Sequence, residues 1–137
     1  MARYAATREL LAPVEDVWEF IADPHNLAKW WPGVGGVEPD RRGLAPGARW
    51  QLRARAAMTW LPQPAGTVLV LEVRRPEFMS FQFVQDRLDA ELHLTRVSER
   101  RTRVGLVVHA PFFSFRRSVP TRALARLYNL VQTGAEI

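Results

Sequence analysis

Three histidines are the side chains best suited to proton transfer, because imidazole gains and loses a proton near neutral pH. His25 follows Asp23-Pro24 and is expected to help cap a short helix. His93 alternates with acidic residues along a predicted strand, which places it on the solvent face. His109 ends the last predicted strand and is the candidate acid or base, although its strand position points it outward. The three are scattered without metal-ligand spacing, so the sequence predicts no metal site.

Other catalytic motifs are missing from the sequence. The glycine-rich segment 33–38 departs from the dinucleotide-binding fingerprint and does not lead from a strand into a helix. No serine lies in the context of a nucleophile elbow. The chain has no cysteine, which excludes disulfides, thiolate nucleophiles and cysteine-bound metals. We therefore predict no cofactor.

The composition is that of an ordinary globular protein, with 47% hydrophobic and 24% charged residues in 137 positions. This length fits one domain covering residues 1–137. The net charge is +5, but many arginines alternate with apolar residues or adjoin acids, so we predict no nucleic-acid partner. No apolar run approaches the roughly 20 residues of a transmembrane helix, and the first residues do not resemble a secretory signal. A cytoplasmic location is expected.

The spacing of apolar residues predicts the elements that position these side chains. One strand at residues 3–11 is followed by two short helices, the second starting at Asp23-Pro24. Further strands are predicted at residues 36–42, 49–57, 67–73, 78–85, 88–95 and 103–110, and a long helix follows Ser118. Short turns between the strands indicate an antiparallel meander. We expect an α+β fold in which a curved seven-stranded antiparallel sheet holds the C-terminal helix across its concave face.

Two segments of the sequence carry a family pattern. They read Ala12-Pro13-Val14-Glu15-Asp16-Val17-Trp18 and Asp23-Pro24-His25-Asn26-Leu27-Ala28-Lys29-Trp30-Trp31-Pro32-Gly33-Val34. This pattern resembles that of the SRPBCC or START-like superfamily, which includes polyketide cyclase/dehydrases and lipid-transfer domains. The resemblance implies the helix-grip fold over essentially the whole chain. It also implies an apolar pocket between the sheet and the C-terminal helix.

The period of the strands and of the last helix predicts which side chains line this pocket. For residues 67–73 the sequence does not decide which side chains face the pocket, because both sets of alternate residues are apolar. Alternate turns of a meander meet at one end of the sheet, which here gathers aromatic loops and is interpreted either as the pocket mouth or as a cap on the core. The predicted ligand-binding residues are Trp30, Trp31, Trp50, Leu52, Trp60, Phe81, Phe83, Leu92, Leu94, Leu106, Phe112, Phe113, Leu124, Leu127, Tyr128 and Val131.

Three functions are compatible with these features. The first is binding of a hydrophobic small molecule, such as a lipid, a polyketide or a quinone-like compound, by a monomer or homodimer. The second is a polyketide aromatase/cyclase or dehydratase in the same pocket, with His109, Tyr128 and Asp86 as the residues that supply protons. The third is a module that docks to a protein or a membrane through its aromatic loop end.

Overall fold

The computed structural model describes residues 2–54, 66–111 and 117–135, which form seven strands and three α-helices. The helices are α1 (Val14–Ala22), α2 (Leu27–Trp30) and α3 (Val119–Ala135), with a 3₁₀ turn at Pro24–Asn26 before α2. The strands are β1 (Ala2–Leu10), β2 (Val34–Pro39), β3 (Arg49–Ala54), β4 (Thr67–Arg74), β5 (Phe78–Phe83), β6 (Leu88–Ser98) and β7 (Arg101–Ala110).

The strands form one antiparallel sheet in the order β1-β7-β6-β5-β4-β3-β2. The meander runs from β2 to β7, and β1 joins the far edge beside β7. This is the predicted α+β helix-grip architecture, with the long helix at the C-terminus. The second strand begins two residues earlier than predicted, because Gly33 turns the chain with a φ of +87° and Val34 then pairs with Ala54.

The pairing register decides which side chains face the concave side of the sheet. Leu92 lies opposite Leu106, and Phe81 lies opposite Ala90; all four side chains are buried. Their chain neighbours face the other side, which we call the convex face.

The register also shows which side chains of β4 face the concave side, a point that the sequence did not decide. Val68 and Val70 are buried, whereas Leu71 is exposed. The register of β4 with β5 shifts between Val70 and Glu72, so Leu71 is an extra residue in β4. The residues after Leu71 alternate again between the two faces of the sheet.

The two short helices close one side of this sheet as their sequences predict. The apolar stripe of α1 is buried at Val14, Val17, Trp18 and Ile21. The Asp23 carboxylate caps the next turn by accepting a hydrogen bond from the backbone N–H of His25 at 3.0 Å. The role predicted for His25 in capping is therefore carried by its backbone, while its ring lies 3.1 Å from the same carboxylate.

Helix α3 packs on the concave side, mainly against β1, and also touches β7 and α2. Its buried residues include Leu124, Leu127 and Val131. Tyr128 is half-buried beside this stripe, and the Arg8 guanidinium of β1 lies 4.3 Å from the centre of its ring. This cation–π contact ties the helix to the edge strand.

A buried hydroxyl holds the connection between β1 and α1 against the sheet. Thr102 is fully buried in β7, and its Oγ1 donates to the carbonyl of Ala12 at 2.8 Å. Replacing Thr102 by valine keeps the shape but leaves that carbonyl without its donor, so we expect a loss of about 2 kcal/mol of unfolding free energy. Urea denaturation measures this loss.

Thr102→Ser is the matched variant, because it keeps the hydroxyl and loses one buried methyl, which costs about 1 kcal/mol. A valine variant as stable as the wild type would show that the hydroxyl does not anchor Ala12.

The turn from β2 to β3 is organised by the carboxylate of Asp40. It accepts backbone N–H bonds from Arg49 at 2.9 Å and from Arg42 at 3.0 Å. These bonds, above all the one from Arg49, hold the pKa of Asp40 below its ordinary value, against a smaller opposing effect of desolvation. The carboxylate therefore stabilises the fold above its unfolded-state pKa, and that contribution is lost as the pH falls through the lower, folded-state pKa.

We expect Asp40→Asn to lower the melting temperature at neutral pH, because the amide cannot replace a charged acceptor. The gap to the wild type should narrow as the pH falls below the ordinary pKa of an aspartate, about 3.9, and close below the lower pKa of Asp40 in the folded state. Melting curves across this pH range test the expectation. Glu19→Gln, an exposed acid on α1, is the control and should show a smaller gap. A gap for Asp40→Asn that does not change with pH would exclude this role of the charge.

Candidate functional site

The candidate site is the apolar interior between the concave face of the sheet and α2 and α3. At its centre the Trp31 ring stacks on Phe83 with centroids 4.9 Å apart and meets Phe81 edge-on at 5.7 Å. Trp30 approaches Trp31 edge-on at 5.6 Å, and Trp50 lies 6.5 Å from Phe81. Five aromatic rings, from the C-terminal end of α2 and from strands β3 and β5, thus form one continuous cluster.

The position of Trp31 follows from the way α2 ends. Its backbone N–H still bonds to the Leu27 carbonyl at 2.8 Å, but its own backbone is extended. Trp31 is therefore the first residue after the helix, and Pro32-Gly33 then turns the chain into β2. Trp30, one residue earlier, is the last helical residue, and both indoles reach the interior with at most 2% of their surface exposed.

Most of the predicted lining residues are buried in one core with this cluster. Besides the five aromatics, they are Leu52, Leu92, Leu94, Leu106, Leu124, Leu127 and Val131. Within the described residues, the buried polar or charged side chains are Ser80 and Thr102. Ser80 lies opposite Glu91 on the convex face, and the Thr102 hydroxyl bonds to the backbone. The described lining therefore offers apolar surface and no buried ionisable group.

The indole nitrogens of the site differ in their hydrogen bonding. Trp50 Nε1 donates to the carbonyl of Gly43 at 2.7 Å. In contrast, the buried Nε1 of Trp30 has no hydrogen-bond partner among the described residues, and the same is true of Trp18 in α1. Sequence patterns give no sign of such unpaired donors, because they arise from how the rings pack. An unpaired buried donor favours a polar atom brought in from outside.

The three residues proposed to supply protons lie apart. His109 faces the convex side, where its register partners are Arg3 and Asp89. Asp86 is exposed in the turn between β5 and β6. Tyr128 packs at the border of the concave core. The strands and α3 therefore do not bring these groups together in one interior site.

One further acid on the convex face was not singled out by the sequence. Asp89 lies directly opposite His109, and its buried Oδ1 finds no hydrogen-bond partner in the part of the chain that the structure describes. Its place next to a histidine depends on the register of β6 with β7. That register cannot be read from either strand alone.

The strand ends that flank the turns expected at the aromatic end share one end of the sheet. The ends of β3, β5 and β7 lie there with the starts of β2, β4 and β6. Trp60, Phe112 and Phe113, which were expected at this end, lie outside the described residues. Trp30 and Trp31 belong to the buried core and not to an exposed rim.

A groove of about 470 Å³ opens at the opposite end, between the start of α1, the turn from β4 to β5, and β6. Phe78 and His93 form part of its wall, with ring centroids 4.9 Å apart. Its two arginines are engaged, since Arg96 pairs with Glu15 at 2.5 Å and Arg74 pairs with Glu72 at 2.7 Å. The groove is thus a surface of balanced charge.

Comparison with known families agrees with this architecture. Residues 1–130 match the family model described as polyketide cyclase / dehydrase and lipid transport. The chain belongs to this family. The match extends from β1 into α3, so it covers both walls of the interior. A comparison with curated proteins found no match.

Solved structures share the fold at low sequence identity. An AHSA1-like protein from Aeromonas hydrophila has a TM-score of 0.77 at 17% identity, over 97% of this chain and 94% of the other. A protein from Nitrosomonas europaea has a TM-score of 0.76 at 17% identity, over 96% and 95%. A third, from Chromobacterium violaceum, has a TM-score of 0.70 at 20% identity, over 96% and 99%. These similarities establish the helix-grip fold of the family.

Two features bear on metal binding and on membrane insertion in the part of the chain that the structure describes. There, no group of three His, Asp or Glu side chains is placed to hold a metal ion. Nor does any helix of this part have the length and apolar character needed to cross a membrane.

Proposed function

We propose that this protein binds a hydrophobic small molecule, of lipid, polyketide or quinone type, in the apolar interior between the sheet and α3. The observation that carries the proposal is the aromatic cluster around Trp31, Phe81 and Phe83, set in a lining whose described residues include no buried charge. The family description, which includes lipid transport, also supports it.

The physical chemistry of such a lining favours binding through the hydrophobic effect. Burial of about 200 Å² of apolar ligand surface contributes about 5 kcal/mol. No carboxylate or basic side chain is buried in the described lining, so little desolvation of charge opposes this gain. The unpaired Nε1 of Trp30 supplies one donor that a carbonyl or hydroxyl oxygen of the ligand would satisfy.

The test is a titration of the purified protein with Nile red, a neutral apolar dye whose fluorescence rises in apolar surroundings. Phe83→Glu places a charge in the lining, whereas Val84→Glu places it on the exposed neighbour, so the two form a matched pair. We expect the first change to weaken dye binding at least tenfold and the second to leave it nearly unchanged.

Phe83→Leu keeps the lining apolar and serves where the glutamate variant does not fold, as judged by circular dichroism. It should shift the affinity several-fold. Equal affinities for the wild type and both Phe83 variants, or no dye binding by the wild type, would contradict the proposal.

Catalysis on a poly-keto chain is the second candidate, favoured by the position of Tyr128. This phenol lies at the border of the core, beneath the Arg8 guanidinium. A cyclase or dehydratase needs a proton donor or acceptor at the pocket wall. Turnover of a poly-keto thioester by the wild type, lost in the double variant Tyr128→Phe with His109→Ala, would support it. Unchanged turnover in that variant would contradict it.

We further propose that residues 1–137 act as one domain, located in the cytoplasm, as a monomer or homodimer without a cofactor. One continuous sheet and one core support the single domain. Light scattering during size-exclusion chromatography distinguishes the two oligomeric states. Docking through the aromatic loop end remains a prediction, because Phe112 and Phe113 lie outside the described residues.

A further inference from the structure

The positive charge of this protein is concentrated in its last part. Residues 1–99 carry 12 basic and 13 acidic side chains, a net charge of −1. Residues 100–137 carry seven arginines and a single acid, Glu136, a net charge of +6, and these two parts give the total of +5. Such an asymmetry along the chain indicates a surface that attracts anions.

The structure separates these arginines into paired and unpaired groups. Arg101 and Arg103 of β7 both pair with Glu9 of β1, at 3.9 and 3.2 Å. Other arginines elsewhere are also paired, among them Arg96 with Glu15. Their charges are thus partly neutralised by near neighbours.

Arg117, Arg122 and Arg126 differ from this pattern, as does Arg100 in the turn between β6 and β7. Within the described residues, their side chains have no ion pair, hydrogen bond or ring contact. Arg117 and Arg122 are exposed and Arg126 is half-buried. We call these three residues the α3 arginine row, because they precede or lie along the outer side of that helix.

An exposed apolar side chain continues this row. Arg122, Arg126 and Leu130 follow one another at intervals of four residues, so they lie along one side of α3 over about 12 Å. Leu130 is 38% exposed. Two cations followed by one exposed leucine are a combination that the head groups and outer acyl carbons of a lipid surface can accommodate.

We propose that the α3 arginine row is a docking surface for a membrane that contains anionic lipids. Each arginine near such a surface gains Coulomb attraction without any need for shape complementarity. An acidic protein is a weaker fit, because stable protein interfaces need packed anchors such as tryptophan or tyrosine. Leu130 is the one large apolar side chain exposed on the described part of α3. The proposal does not depend on a bound ligand, so it stands apart from the function proposed above.

The test is co-sedimentation of the full chain with vesicles of phosphatidylcholine alone or of phosphatidylcholine mixed with phosphatidylglycerol. We expect binding to the mixed vesicles only, weakening as salt is added. The triple variant Arg117→Gln, Arg122→Gln, Arg126→Gln should lower the partition coefficient on the order of a hundredfold. The corresponding triple lysine variant should keep most of the binding, since it keeps the charges.

The matched control removes three arginines that are already paired: Arg53→Gln, Arg74→Gln and Arg96→Gln. It lowers the net charge by the same amount, so equal losses in both triple variants would show an effect of overall charge and overturn the proposal. Absence of binding to the mixed vesicles, or equal binding to both vesicle types, would also overturn it. If the wild type binds neither vesicle type but retains an acidic protein, the α3 arginine row would be a docking surface for protein, and the proposal would be overturned. Nile red binding should remain unchanged in the glutamine variant, which separates this test from that of the interior site.

Discussion

Replacing Trp31 by alanine is expected to lower the free energy of unfolding by about 4 kcal/mol. The indole has 2% of its surface exposed and contacts the rings of Trp30, Phe81 and Phe83. Its removal takes away a large buried apolar surface and leaves a cavity that the strands cannot fill, because Phe81 and Phe83 are fixed by the sheet. Urea denaturation gives the change, with the slope against denaturant expected to stay constant.

Trp31→Phe is the control, because it keeps an aromatic ring against Phe83 and should recover more than half of the loss. A double-mutant cycle with Phe83→Leu isolates the stacking of the two rings, for which we expect a coupling of about 1 kcal/mol. A loss below about 1 kcal/mol for Trp31→Ala would mean that the indole does not form the centre of the core.

The sequence predicted the architecture because the relevant signals are local. The apolar stripe of α1, the Asp23 cap and the alternation of β6 each arise within a few residues, and the structure confirms them. The inward sides of β3, β5 and β7 follow from the same alternation. Element bounds shifted where a local backbone feature decided them, as at Gly33, whose positive φ brings the start of β2 forward.

The candidate site was harder to predict, because it depends on contacts between distant parts of the chain. The stacking of Trp31 on Phe83 joins α2 to β5, and no periodicity within either element encodes it. The same holds for the unpaired donor of Trp30 and for the contact of Arg8 with Tyr128. In β4 the alternation itself was uninformative, since residues 68–71 are all apolar, and the pairing of Val68 and Val70 with β5 decided the outcome.

The charged residues are a third case. The sequence gives the positions of the arginines, but which of them are paired with an acid depends on the fold. Nothing in the sequence distinguishes the arginines of residues 100–126 that form ion pairs from those that do not. Only the pairing of β7 with β1 brings Glu9 next to Arg101 and Arg103, whereas Arg122, exposed on α3, has no ion-pair partner among the described residues. A charge becomes a candidate binding group when the fold gives it no partner of its own.

Leu127→Ala in α3 is expected to lower the free energy of unfolding by about 3 kcal/mol. Leu127 is fully buried where the helix rests on the concave side of the sheet. Alanine favours the helix as much as leucine does, so the loss reports packing and not helix propensity. Because α3 forms one wall of the proposed pocket, the shortened side chain should also alter Nile red affinity by several-fold.

Leu130→Ala provides a control in the same helix with the same chemical change. Leu130 is 38% exposed, so its truncation should cost no more than about 0.5 kcal/mol and leave dye binding unaltered. The difference between the two variants then measures how strongly the inner side of α3 holds the helix to the sheet. Equal losses at both positions would mean that α3 does not present Leu127 to the core, and the wall of the proposed pocket would have to be formed by another part of the chain.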